Sequence, residues 1–244
     1  MKLILLTSAV LFSTGLFAQD TDVAFNSVPY APVSTYMSSN EGIILGEFND
    51  KSKKSQGLGK DAYYFENSIG EGVALRSFLF KVDHAKYTTK VYVRFYEKKE
   101  YVQNLYVDNN TVSYPSYIPG NEIRTKEIIV NIEPGQKGAI EVDLSGYDIV
   151  MPQKGLFVSL ELMGYFDDNG NVVTKFKSKD LTRIDFHPTT LENYCVWAET
   201  QGKEGGFWMN RNKWTKADFE YAFKKKPSKS ILVAPNFGLK IARK

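Results

Sequence analysis

Aromatic residues near the C-terminal end of the sequence are its most suggestive chemical feature. All three tryptophans lie between positions 197 and 214. Flat aromatic rings bind the apolar faces of sugars, and nearby polar groups can add the contacts that a site needs. The candidate ligand-binding residues are therefore Trp197, Trp208, Trp214, Asn210 and Arg211, with Glu204 nearby. The alternative, which the large area of these rings favours, is that they fill the core of the domain.

The sequence offers little for zinc binding or nucleophilic catalysis. Its two histidines, His84 and His187, are each predicted to be solvent-facing turn residues. A zinc site needs several His or Cys ligands at characteristic spacing, and two isolated histidines with one cysteine do not provide it. A Cys195–His187 pair is conceivable, but cysteine is more often a small buried apolar residue. No serine nucleophile elbow, phosphate-binding loop or dinucleotide fingerprint is present, so no cofactor is predicted.

Two sets of acidic residues could bind a cation or support hydrolysis. The run from Asp167 to Asn171 (DDNGN) offers the clustered oxygens that calcium prefers, but the spacing of an EF-hand is absent. A hairpin turn explains the same run, because Asn-Gly is a strong turn signal. Glu161 and Asp143 could act as the paired carboxylates of a glycan-active hydrolase if they lay about 5–10 Å apart in one cleft.

The N-terminal residues predict export. Lys2 provides a basic start, residues 3–17 form an apolar run and Ala18 is a small residue suited to cleavage, so the mature chain is expected to begin at Gln19. The run is shorter than the roughly 20 residues that span a bilayer, and no membrane span is expected in the mature chain. A single cysteine allows no internal disulfide. The net charge of +3 does not suggest a nucleic-acid partner.

The elements that would position these residues show the two-residue period of half-buried strands. At positions 156–163, one face is expected to carry Leu156, Val158, Leu160 and Leu162, and the other Phe157, Ser159, Glu161 and Met163. At positions 90–97, the inward residues are expected to be Val91, Val93 and Phe95. If the two strands are neighbours, Arg94 and Glu161 should form an outward cross-strand pair.

Further strands are predicted at positions 42–48, 75–82, 126–132, 140–144, 171–176 and 230–242. In the second of these, Arg76 is expected to share a face with Phe78. Hairpins are expected around positions 133–135 and 167–170, a short helix after position 215, and loops at 49–61 and 101–121, the latter a candidate functional loop. Many short strands separated by turn signals predict an all-β fold, an antiparallel, jelly-roll-like β-sandwich with at most one short helix. The expected organisation is a signal peptide (1–18), an extended lead-in (19–40) and one β-sandwich domain (41–244).

Four strand-like segments carry a resemblance to a known group of domains. They are LRSFLFKV at 75–82, VYVRFYE at 91–97, VDLSGYDI at 142–149 and GLFVSLE at 155–161. Together they resemble secreted, jelly-roll-like β-sandwich domains of Bacteroidota, of the kind found beside carboxypeptidase-regulatory-like modules in envelope proteins. The resemblance covers residues 70–164 and implies no catalytic residues. Unlike the multidomain members, this chain shows no separate regulatory module.

The sequence therefore predicts a secreted or periplasmic module that acts by binding, with a glycan as the favoured ligand and an envelope protein as a further possible partner. Two alternatives stay open. One is a glycan-active hydrolase with paired carboxylates, and the other is a structural component of an outer-membrane complex.

Overall fold

The computed structural model of the 244-residue chain describes residues 36–38, 42–46, 48, 54–70, 72–107, 110–123, 126–189, 196–199, 207–210 and 232–241. These residues form antiparallel strands, with one short 3-10 turn at Ser178–Asp180 as the only helical element among them. The predicted all-β antiparallel sandwich is thereby confirmed. No helix in the described part of the chain is long and apolar enough to cross a membrane.

Fifteen strands are described. They are β1 (Tyr36–Ser38), β2 (Gly42–Gly46), β3 (Lys54–Gly57), β4 (Lys60–Phe65), β5 (Leu75–His84), β6 (Thr88–Val107), β7 (Asn110–Glu122), β8 (Ile128–Ile132), β9 (Gly138–Asp143), β10 (Leu156–Phe166), β11 (Arg183–Thr189), β12 (Val196–Glu199), β13 (Phe207–Asn210), β14 (Leu232–Pro235) and β15 (Gly238–Ile241). The first sheet has the order β1-β2-β15-β5-β11-β14, with β9 beside β5 and β3 beside β11. The second has the order β13-β12-β4-β10-β6-β7, with β8 beside β6.

The main core lies between the two sheets, because both contribute buried apolar side chains to one cluster. The predicted inward residues of β6 and β10 all contact this cluster: Val91, Val93, Phe95, Leu156, Val158, Leu160 and Leu162. The first sheet contributes Phe78, Phe80, Ile184, Phe186, Phe237 and Leu239, among others. Strict alternation along each strand places these residues on one face and builds the sandwich.

The second sheet is strongly curled. Its strand order puts β13 at one end and β7 at the other, yet the Asn210 side-chain amide on β13 donates a hydrogen bond to the Ser116 hydroxyl on β7 at 3.2 Å. Two strands at opposite ends can meet in this way only if the sheet bends round. The face turned away from the main core is therefore concave, and we call it the concave face.

Two regions predicted as loops contain strands. Residues 101–121 form the outer part of the β6–β7 hairpin, with Val107 paired to Asn110. The tyrosine- and proline-rich composition suggested a loop, but β7 lies at the end of its sheet, where proline costs no ladder hydrogen bond on the open side. Residues 49–61, also predicted as a loop, include β3 and the start of β4.

Of the two expected hairpins, the one at positions 133–135 is not formed, whereas the turn at 167–170 is formed and its ends are joined by backbone hydrogen bonds. β8 pairs with β6 in the second sheet, whereas β9 pairs with β5 in the first, so the turn at positions 133–135 carries the chain between sheets and the predicted hairpin is wrong. After the turn at Asp167, only Val172 bridges back to Phe166, so the strand predicted at 171–176 is not formed. Side-chain alternation is the same for a hairpin and a crossover, and it cannot tell the two apart.

Other strand predictions are refined. Arg76 is exposed, whereas Phe78 is buried, because the pairing of β5 with β15 shifts register between Leu75 and Ser77. The predicted strand at 230–242 is divided into β14 and β15, which pair with different neighbours, and its inward residues Phe237, Leu239 and Ile241 are buried as expected.

The lead-in contains the short end strand β1. The predicted signal peptide and the helix after position 215 lie outside the described residues.

Candidate functional site

The β12–β13 hairpin places the two described tryptophans on opposite faces of the second sheet. Trp197 pairs with Met209, and Ala198 pairs with Trp208. Residues directly opposite each other share a face, and neighbours along a strand do not. Trp208 and Asn210 therefore share one face, and Trp197 lies on the other. Trp214 and Arg211 lie outside the described residues, so of the five candidates the structure brings together Trp208 and Asn210.

The pairing across four strands assigns Trp208 and Asn210 to the concave face. Asn210 pairs with Val196, Val196 with Ala62 and Ala62 with Ser159, a row that faces away from the main core. By the same rule Trp197 shares a row with Leu160, whose side chain is in the main core. The concave face therefore carries the Trp208 indole and the Asn210 amide, which are two residues apart on β13.

The Trp208 indole is partly buried and makes two specific contacts. The Tyr96 ring packs against it edge-on, with ring centroids 5.7 Å apart and an angle of 75° between the planes. The Lys60 ammonium lies 5.0 Å from its centroid, a cation–π distance. These contacts hold the indole in one orientation while leaving part of it accessible. A fixed, partly exposed aromatic ring can stack on a flat apolar surface of a ligand at little cost in side-chain entropy.

Asn210 is fixed by hydroxyl groups. Its Nδ2 donates to the Tyr101 hydroxyl at 2.6 Å and to the Ser116 hydroxyl at 3.2 Å. Tyr101 lies on β6 in the segment that had been predicted as a candidate functional loop. The loop prediction is wrong in structure, yet Tyr101 does contact a candidate residue, and the strand places its hydroxyl beside the tryptophan-bearing hairpin.

A carboxylate occupies the middle of the concave face. Glu161 Oε1 accepts hydrogen bonds from the Tyr96 hydroxyl and the Ser159 hydroxyl, both at 2.7 Å. Its Oε2 lies 3.2 Å from Lys60 Nζ and 3.5 Å from Arg94 Nε. The predicted Arg94–Glu161 pair is confirmed. Glu161 is only 8% exposed, so the expectation that its side chain faces solvent is wrong, whereas Trp208 on the same face is partly exposed.

This network sets the charge states of its members. Burial, followed by the hydrogen bond to Glu161, raises the pKa of the Tyr96 phenol far above its usual value, so that it remains a neutral donor. Burial acts to lower the pKa of Arg94, but the charges of Glu122 and Glu161 outweigh it and hold that pKa above its usual value. The concave face therefore has a fixed polar centre in which the Glu161 carboxylate is compensated.

A second apolar cluster lines the rest of the concave face. Its buried members are Ala62, Tyr96, Tyr117, Phe157 and Val196, with Tyr64, Ile118 and Trp208 packed against them. Sequence reasoning missed Tyr64 and Tyr117 because each lies in a segment predicted as a loop or left unassigned. The alternation of KDAYYF in β4 was the available signal, and a lysine-rich segment before it obscured that signal.

The structure does not bring the proposed hydrolase pair together. Glu161 lies on β10 in the second sheet, whereas Asp143 ends β9 in the first sheet and is exposed. Asp143 Oδ1 accepts the backbone N–H of Ser145 at 2.9 Å, and this bond leads the causes that lower the pKa of its carboxyl. The pair therefore does not share a cleft as a two-carboxylate mechanism requires.

The other candidates have structural roles. Asp167 Oδ1 accepts the backbone N–H groups of Asn169 and Asn171 at 2.9 and 2.8 Å, as in an Asx turn. Hydrogen bonds from Asn171 lower the pKa of that carboxyl. His84 is exposed as predicted, but His187 is buried on β11, because Pro188 continues the strand and does not form a turn. Cys195 lies outside the described residues.

The part of the chain that the structure describes contains no group of three or more His, Cys, Asp or Glu side chains placed to hold a metal ion. Comparisons with models of protein families, with curated proteins and with solved structures find no match for this chain.

Proposed function

We propose that this protein is a non-catalytic binding module whose concave face holds a glycan. The observation that carries the proposal is the setting of Trp208, a partly exposed indole that Tyr96 contacts edge-on. On the same strand face, Asn210 is hydrogen-bonded to the hydroxyls of Tyr101 and Ser116. Sugars present apolar C–H faces and a rim of hydroxyl groups, and this arrangement offers a ring for the first and polar groups for the second.

Binding is a better account of this site than hydrolysis. The Glu161 carboxylate on the same face is held by two hydroxyl groups and two cations. A general acid needs access to the glycosidic oxygen, and a nucleophile needs an open approach to the sugar. A carboxylate with both oxygens engaged serves instead to hold Tyr96 and Lys60 in place beside the indole.

The proposal is tested by retention of the protein in native gels that contain a panel of soluble polysaccharides. Trp208→Ala should lose the retention shown by the unaltered protein, because it removes the stacking ring. Phe207→Ala is the matched control, since Phe207 is the adjacent residue, is 50% exposed and faces the opposite side of β13. Equal retention of both variants would contradict the proposal.

Thermal unfolding of the same variants separates binding from folding. Trp208 is partly buried, so Trp208→Ala should cost about 1–3 kcal/mol of unfolding free energy, less than the ~3–5 kcal/mol expected for a fully buried ring. A folded Trp208→Ala variant that no longer binds supports the role of the indole as a sugar platform.

We further propose that the protein is exported and acts in the periplasm or outside the cell, as the apolar run at residues 3–17 and the small residue Ala18 suggest. The resemblance to Bacteroidota envelope domains supports the same location. Intact-mass measurement on exported protein should give a chain that begins at Gln19. A mass that includes residues 1–18 would contradict this.

A further inference from the structure

A groove opens where the β6–β7 hairpin loses its regular pairing. Tyr96 pairs with Glu122, but Lys98 pairs with Pro119, so β7 carries one extra residue at this point. Such a bulge bends the strand and re-aims nearby side chains. The resulting groove has a volume of about 560 Å³, and the residues lining it include Glu97, Lys98, Lys99, Glu100, Gly120 and Lys154.

Lys98 differs from the paired lysines of the described chain. Its ammonium lies 3.4 Å from the centroid of the Tyr117 ring and 5.3 Å from that of Tyr64. Within the described residues it makes neither a hydrogen bond nor an ion pair, although Glu97 and Glu100 line the same groove. By contrast, Lys240 lies 2.8 Å from a carboxylate oxygen.

The position of the Lys98 ammonium favours the binding of an anion beside it. Burial, with a contribution from the charge of Lys154, lowers the pKa of Lys98 despite the opposing charges of Glu100 and Glu66. A partly desolvated cation whose contacts among the described residues are aromatic faces gains more from an incoming negative group than a solvated lysine does. Lys154, whose side chain is exposed at the same groove, can contribute a second positive charge.

The groove lies beside the aromatic cluster of the concave face, because Lys98, which lines the groove, contacts the rings of Tyr117 and Tyr64. Tyr64, which lies under the Lys98 ammonium, is 5.7 Å from Tyr117 and 5.2 Å from Phe157 between ring centroids. These rings belong to the same apolar cluster against which Trp208 packs. The buried members of the cluster are closed to a ligand, so a sugar ring can meet it only at its partly exposed residues, which include Trp208 and, beside Lys98, Tyr64.

We propose that the groove at Lys98 binds the negatively charged group, a carboxylate or a sulfate ester, of an acidic glycan. This inference rests on the proposed glycan-binding function and assigns a substrate class to it. The bulge supplies the space, Lys98 the charge, and Tyr64 and Tyr117 the fixed support beneath that charge.

The test measures affinity by calorimetry for polygalacturonate, dextran sulfate and neutral dextran, which carry carboxylates, sulfate esters and no charge. Lys98→Gln should weaken binding of at least one acidic polymer by about tenfold, the loss expected for one charge-assisted contact. The polymer that shows the loss identifies the charged group. Lys175→Gln is the matched control, because Lys175 is exposed and lies outside the groove, and it removes the same charge.

The outcomes separate the two proposals. Equal losses of affinity in Lys98→Gln and Lys175→Gln would overturn the groove assignment, because they would show that affinity depends only on the net charge of the protein. If neutral dextran binds more tightly than the two acidic polymers, and its binding depends on Trp208 but not on Lys98, the groove assignment is also overturned. That result would still support glycan binding. Loss on Lys98→Gln with no effect of Trp208→Ala would support the anion site and contradict the tryptophan platform. Binding of none of the three polymers would overturn the groove assignment.

Discussion

Asn210 and Ser116 lie on strands at opposite ends of the second sheet, and a hydrogen bond of 3.2 Å joins their side chains. This contact accompanies a curl that turns the face behind the main core into a concavity. The same curl brings Trp208 against Tyr96, although four steps of strand order separate β13 from β6. The candidate site thus depends on the closure of this sheet.

The first prediction concerns this closure. Asn210→Ala removes the donors to Tyr101 and Ser116 and should lower the unfolding free energy by about 1–2 kcal/mol, the range for one or two partly buried hydrogen bonds. Amide hydrogen exchange in β13 should become faster. Ser113→Ala is the control, because its hydrogen bond to Asn104 is exposed and should contribute little. Unchanged exchange in β13 would show that other contacts hold the hairpin.

The second prediction concerns the main core. Leu160 is completely buried in the middle of β10, so Leu160→Ala should leave a cavity and cost about 2–5 kcal/mol. Met163, on the same strand, is 40% exposed, and Met163→Ala should cost less than about 1 kcal/mol. Chemical denaturation of both variants measures the difference. Similar costs would mean that the strand faces are misassigned.

The third prediction concerns the polar centre of the concave face. Glu161→Gln retains an acceptor for Tyr96 and Ser159 but leaves Lys60 and Arg94 with less compensation. The cost should be about 1–2 kcal/mol, below the ~3–5 kcal/mol for a fully buried pair, since both cations are partly exposed. Glu161→Ala, which also removes the acceptors, should cost more in thermal unfolding. A Glu161→Gln variant more stable than the unaltered protein would contradict this reading.

The fourth prediction concerns pH. The pKa of Lys98 is below the usual lysine value, mainly because of burial, so its charge is lost at lower pH than that of exposed lysines. Affinity for an acidic polysaccharide should therefore fall with rising pH before ordinary lysines lose their charge. Lys98→Arg should retain its affinity in this range, because guanidinium remains protonated. A pH profile that is identical for the two proteins would argue against a role for Lys98.

Side-chain alternation was enough to predict the main core. The run from Leu156 to Leu162 and the run from Val91 to Phe95 have a strict two-residue period, and both face the core as expected. Alternation does not specify partners, however. It did not show that β8 and β9 join different sheets, because pairing depends on contacts distant in sequence.

The candidate site was only partly predictable, because strand register decides it. Trp197 pairs with Met209. A shift of one residue in that pairing would place Trp197 opposite Trp208, on the same face. The Lys98 groove gave no sequence signal, since a bulge in a tyrosine-rich hairpin arises from the pairing of two strands. The confirmed Arg94–Glu161 pair shows what can be inferred when both strands alternate clearly.

The most direct measurement of the central claim is a crystal structure of the protein with an oligosaccharide from the polymer that binds best. The account predicts a sugar ring in contact with the Trp208 indole, with heavy atoms within about 4.5 Å, and an acidic group directed to Lys98. An oligosaccharide bound elsewhere, with no sugar atom near the Trp208 indole, would contradict it.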